Sequence, residues 1–168
     1  MISNTLNELS IWFTESSTSR DRPILLSKLA LLELCGWIEC ELDRLVLVAE
    51  TGRLNDANWV GENVIKSTYG LHYDKHFRPM LVKILGEIYT RRVEIELENR
   101  SPGALDSLKS LLGQLWKQRC DLAHMHVGAT VPQAINYQAP SWSNSRYQDV
   151  SRLLDEYEMA LATALVAI

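Results

Sequence analysis

The run Lys117-Gln118-Arg119-Cys120-Asp121-Leu122-Ala123-His124-Met125-His126 gathers the residue types that do chemistry near neutral pH. An imidazole titrates there and serves as acid or base. A guanidinium keeps its charge and grips anionic oxygens in pairs. Counted in steps of three and four, the apolar stripe Leu105, Leu108, Leu112, Leu115 continues to Arg119 and then to Leu122. Arg119 therefore takes a core-stripe position, where an unpaired guanidinium is costly. It must meet an acid, line a cleft or face a partner subunit. His124 lies further along, and at about 100° per residue the two side chains sit roughly 140° apart on a continuous helix. They serve one site only if the helix ends between them or a second copy of the chain supplies the other half. Otherwise Arg119 pairs with an internal carboxylate and His124 caps or hydrogen-bonds locally.

Arg119-Cys120-Asp121-Leu122-Ala123-His124 resembles the R-x-x-x-x-H signature of the HEPN superfamily (higher eukaryotes and prokaryotes nucleotide-binding domains), including its common Ala-His ending. In that family the motif falls late in an all-α bundle, and the likeness in architecture here runs from about Pro23 to Ala164. The resemblance implies a metal-independent endoribonuclease of toxin or defence type, with Arg119 and His124 as the catalytic pair. It also implies RNA as substrate, a homodimer whose two motifs face one cleft, and an antitoxin or regulatory protein as partner. Such cleavage needs a base for the 2′-hydroxyl, an acid for the leaving 5′-oxygen and positive charge for the phosphorane. The products would be a 2′,3′-cyclic phosphate and a 5′-hydroxyl.

Two positions depart from the family pattern. Cys120 stands where active members often carry Asn, Asp or His, and Asp121 follows one place later. His126 stands where the branch paired with a nucleotidyltransferase antitoxin carries Tyr. Lys117, Cys120, Asp121 and His126 are accordingly the expected supporting or substrate-binding residues around the pair. The alternative is a catalytically inactive HEPN-like binding or regulatory module. A helical adaptor unrelated to the family is a third reading.

Other chemistry is poorly supported. Zinc sites show paired ligand spacings. Cys120, His124 and His126 lack a second pair unless His72 and His76 provide it, and those two lie between Gly70 and Pro79, a setting for a loop or short turn. No metal and no cofactor are expected. Neither a G-x-x-x-x-G-K-[ST] loop nor a G-x-G-x-x-G turn occurs. Of the five Trp, Trp37 and Trp116 sit beside apolar stripes, and Trp142 is the candidate for a binding role. Lys83, Arg91, Arg92 and Arg100 form a modest basic stretch, either a solvated face or a track for phosphates.

The elements that must position these residues read as helices throughout. The expected fold is an all-α, HEPN-like bundle of about five to six helices in a single domain over 1–168. Gly (8) and Pro (5) are scarce, which disfavours a turn-rich β-sandwich. The spacing predicts helices over Asn4–Glu15, Pro23–Glu50, Asp56–Thr68 and Phe77–Glu98. RRVEIELENR, over 91–100, has a short strand as its competing reading. Ser101 and Pro102 read as N-cap and first residue of the next helix. A loop is expected over Gly128–Asn144, with Ser145 to Gln148 as the capping box of the last helix.

Net charge is −4, from 17 basic and 21 acidic residues, which excludes a generic basic nucleic-acid coat but not a local basic cleft. The odd count of three Cys and the lack of a secretion-type N-terminus argue for reduced thiols and a cytoplasmic setting. Cys35 and Cys40 are expected to be small core residues. No apolar run is long enough to span a membrane.

Overall fold

The computed structural model describes residues 2–15, 21–51, 56–123 and 137–166. Among them it contains six α-helices and no strand. These are α1 (Ile2–Glu15), α2 (Asp21–Glu50), α3 (Ala57–Val60), α4 (Arg78–Arg100), α5 (Ala104–Ala123) and α6 (Pro140–Val166), with π-helical turns at Gly61–Ile65 and Tyr73–Phe77. The all-α expectation holds, and the 91–100 stretch is helix rather than strand. No helix among the described residues is long and apolar enough to cross a membrane.

The chain falls into two compact units, Met1–Trp37 with Gln114–Asp149, and Ile38–Gly113 with Val150–Ile168. In the first unit, Leu6 and Leu9 of α1 are buried with Leu26 and Ala30 of α2, and Ile2, Phe13 and Tyr147 pack against them. Ile2, Leu6, Leu9 and Phe13 recur at alternating steps of four and three, one stripe of a helix. The Trp37 and Tyr147 rings meet edge to face with centroids 4.9 Å apart. Asn144 Nδ2 donates to Asn7 Oδ1 at 2.8 Å, joining α6 to α1.

The second unit is organised by α4. Arg78 Nε donates to Glu94 Oε1 at 2.8 Å. A straight helix would separate residues 78 and 94 by about 24 Å at ~1.5 Å per residue, beyond the reach of both side chains. The helix is instead broken at Gly86, whose φ of 76° and ψ of 164° are open only to glycine. The break shifts the apolar register of the helix. Before it Leu81 and Leu85 are buried; after it Thr90, Val93 and Leu97 are. Ile88 and Ile95, which follow the break, are exposed. The Thr90 hydroxyl donates to the Gly86 carbonyl at 2.9 Å.

The two runs of α4 are held by charge. Arg78 binds Glu87 through both terminal nitrogens and Glu94 through Nε. Glu94 Oε1 also accepts from Tyr73 Oη at 3.0 Å, and Tyr73 Oη lies 3.2 Å from Tyr157 Oη of α6. Burial pushes both phenols well above their ordinary range, so each stays protonated and able to donate. At the turn to α5, Glu98 accepts from the backbone N–H of Gly103 and of Leu105, both at 2.8 Å. Glu98 thus supplies the cap expected of Ser101, and α5 starts at Ala104 rather than Pro102.

One further expectation is corrected. Cys35 is buried, but Cys40 is exposed, since five helical steps turn a side chain by roughly 140°. Between α3 and α4, the backbone N–H of His72 donates to His76 Nδ1 at 3.0 Å. The His76 ring lies so close to Gly70 that a Cβ there would meet it at 2.6 Å. No group of three or more potential metal ligands forms among the described residues.

Gly86→Ala meets no neighbouring atom within 4 Å, so its cost is the backbone conformation alone. A loss of ~1–3 kcal/mol in urea denaturation is expected. On α2, burial and then neighbouring Glu39 push the Asp43 carboxyl up to about 6. The fold therefore favours protonated Asp43, and this contribution is present at low pH and lost as pH rises through about 6. Asp43→Asn should raise the thermal midpoint at neutral pH and leave it unchanged near pH ~4, as measured by circular dichroism across pH.

Candidate functional site

The site is best built from α5 outward. Leu108, Leu112, Leu115 and Leu122 are buried, which fixes the inward stripe of the helix. Arg119 lies on that stripe between Leu115 and Leu122 and is half-buried, as its spacing predicts. It is engaged by other groups rather than free.

The flank beside this stripe carries polar residues at helical steps of three and four. Gln114, Lys117, Gln118 and Asp121, with Leu122, face a cavity of about 280 Å³. Ser27 and Leu31 of α2 form a second wall. Gln138, just before α6, and Trp142 and Ser143 on its first turn close a third. All of these residues belong to the first compact unit. Ser27 and Ser143 are buried polar residues.

Trp142 is where the sequence expectation needs amending. The reading from composition put it in a loop opening a helix at Ser145. In the structure α6 begins at Pro140. Proline suits the first turn, where its missing N–H has no intrahelical partner. The Trp142 backbone N–H donates to the Ala139 carbonyl at 2.9 Å. Its indole is thereby fixed on a helix and half-buried at the cavity wall. The Arg146 guanidinium, one turn on, sits 5.7 Å from the ring centroid and binds Asp149 at 3.0 Å.

The candidates from sequence thus divide. Lys117 and Asp121 line the cavity together with Trp142. Arg119 sits on the adjoining Leu stripe, about 100° round from Gln118. Cys120 is half-buried and turns a further ~100° away, so it faces away from the cavity. His124 and His126 lie outside the described residues. Sequence reasoning missed Gln114, Gln118, Gln138, Ser27 and Ser143. Their types carry no reactive signature, and only the polar flank beside the Leu stripe of α5 could have marked the two helical glutamines.

One atom in the cavity wall is unsatisfied. Gln118 Oε1 is buried and has no hydrogen-bond partner among the described residues. A buried acceptor without a donor pays a desolvation cost. Removing it should therefore not weaken the fold. Gln118→Met is expected to be neutral or to stabilise by up to ~1 kcal/mol in urea denaturation; a loss larger than that would show that the amide has a structural role.

Compared with protein-family models, with curated proteins and with solved structures, the chain matches none.

Proposed function

We propose that the chain is an HEPN-like, metal-independent endoribonuclease in which Arg119 and His124 form the catalytic pair. The observation that carries this reading is the setting of the motif. Arg119 sits one turn before the end of α5 at Ala123, on a helix whose adjoining flank opens onto a polar cavity with an indole in its wall. Arg119 on the Leu stripe, and Lys117 and Trp142 on the cavity wall, support this reading.

The chemistry needs no metal. His124 takes the proton from the 2′-hydroxyl or gives one to the leaving 5′-oxygen, as imidazole does near neutral pH. The 2′-oxygen attacks phosphorus, the bond to the 5′-oxygen breaks, and the products are a 2′,3′-cyclic phosphate and a 5′-hydroxyl. Arg119 holds the non-bridging oxygens as charge builds on the phosphorane, a contribution that is large where water is scarce. Lys117, on the cavity wall, adds charge for a flanking phosphate. A homodimer supplies a second histidine, so that acid and base are separate groups at one phosphate. RNA is the substrate, and a restraining antitoxin or regulatory protein accompanies a nuclease of toxin or defence type.

The test is cleavage of total RNA by the purified protein in EDTA, with mapping of the product ends. Wild type is expected to leave 2′,3′-cyclic phosphates. His124→Ala and Arg119→Ala should each lower the rate by about 10²–10⁴-fold. Cleavage unchanged by both substitutions overturns the assigned pair. A folded wild-type protein that leaves RNA intact is the inactive binding module instead.

A further inference from the structure

Past the break at Gly86, the basic stretch of α4 resolves into one face of a helix. Ile88 is 78% exposed and Ile95 is 54% exposed. They stand seven residues apart in sequence. That spacing sets them nearly in line, about 20° round from one another and ~10 Å apart along the axis. Arg91 and Arg92 are exposed between them. Counted from Ile88 at about 100° per residue, Arg91 falls ~60° to one side and Arg92 ~40° to the other. The face is thus an aliphatic line with one guanidinium on each flank. Buried Thr90, Val93 and Leu97 occupy the opposite side of the same run.

The acids of this run do not neutralise that face. Arg78 binds both Glu87 and Glu94. Glu98 accepts from the backbone N–H groups of Gly103 and Leu105. Glu96 stands about 80° round from Ile88, outside the arc. Arg92 lies over the Tyr89 ring, 5.4 Å from its centroid, which holds its side chain against the helix. Helix formation does not call for isoleucine at exposed positions, since β-branched side chains lose rotamer freedom there.

Charge decides what such a face can meet. A second copy presenting the same face would set arginines against arginines. Single-stranded RNA is held by stacking on flat side chains, which isoleucines lack. Anionic membrane surfaces are recognised by clusters of about four to eight basic residues, more than this face carries. A helix with apolar residues at the same spacing and carboxylates on both flanks matches it in line and in charge.

We infer that this face docks an acidic amphipathic helix of a partner protein, whose apolar line covers Ile88 and Ile95 and whose flanking carboxylates meet Arg91 and Arg92. The seam is short, so the contact belongs to the weak, exchangeable class. This inference goes beyond the ribonuclease reading and does not rest on it, because the docking is measured without RNA cleavage.

The test titrates the full chain, labelled at its isoleucine δ1 methyls, with an alanine-based helical peptide. The peptide carries Leu at two positions seven apart and Glu at the third and fourth places after the first Leu. In the methyl NMR spectrum the Ile88 and Ile95 signals should move while that of buried Ile38 stays in place. A peptide with Lys in place of Glu should bind about tenfold more weakly. Arg91→Glu combined with Arg92→Glu should reverse that preference, a result that misfolding cannot produce. Ile88→Ser combined with Ile95→Ser should weaken binding of the fluorescently labelled Glu peptide by about tenfold, read by anisotropy. Signals that stay in place at millimolar peptide, or that move equally with both peptides, overturn the inference. Shifts that follow protein concentration alone overturn it in favour of a second copy. Larger shifts with oligouridine, or with vesicles of phosphatidylcholine and phosphatidylserine, overturn it in favour of RNA or a membrane surface.

Discussion

A single ion pair decides how the middle of this chain can run. Arg78 and Glu94 belong to one helix by sequence pattern, yet their side chains touch at 2.8 Å. They can do so only if the helix reverses between them, and Gly86 is where it does. The other features of this unit follow from that reversal. Glu87, just past the break, joins Arg78 from the exposed side. Glu94, on the inner side, turns one oxygen toward Tyr73, which in turn meets Tyr157. A carboxylate so enclosed would be unfavourable alone; paired with a guanidinium and a phenol it is satisfied. The interior of the second unit is therefore a polar chain set inside apolar packing rather than a uniform hydrocarbon core.

The first unit follows a different logic. Its core is a plain apolar contact between α1 and the start of α2, closed by Tyr147 and Trp37. What is unusual there is the flank of α5 that the core does not use. A helix with a clean Leu stripe needs only part of its circumference for packing. The remainder of α5 carries two glutamines, a lysine and an aspartate onto a cavity, and the orphaned Gln118 acceptor sits among them. Polar groups left unanswered inside a protein weaken it.

Much of this was legible from residue spacing. The α2 positions Leu31, Leu34, Ile38, Leu42, Leu45 and Ala49 recur at helical steps of three and four and are all buried. Arg119 lands on the inward face of α5, as steps of three and four require. Less legible was the reversal in α4. An isolated glycine in a helical pattern is usually tolerated, and the only sign was that Ile88 and Val93 could not share one face. The start of α6 was misread because Ser145 to Gln148 mimics a capping box, while Pro140 carried the true signal. The cavity wall was the least legible part. Glutamine and serine announce nothing by type, and their meeting depends on three helices that sequence order alone does not bring together.

The reversal at Gly86 also bears on the order in which the chain folds. Closing a loop between residues 78 and 94 costs far less entropy than bringing Tyr157 to Tyr73, since that cost grows with the length of chain enclosed. The two runs of α4 can thus find each other early, as a local helical hairpin with its charges already matched. The phenol on α6 must come from 84 residues away to complete the same network. The early hairpin presents a preformed acceptor, and the late arrival of Tyr157 signals that the distant end of the chain has docked in register. The polar chain then acts as a checkpoint on assembly, because an apolar surface alone would accept α6 in several positions and this one accepts it in one.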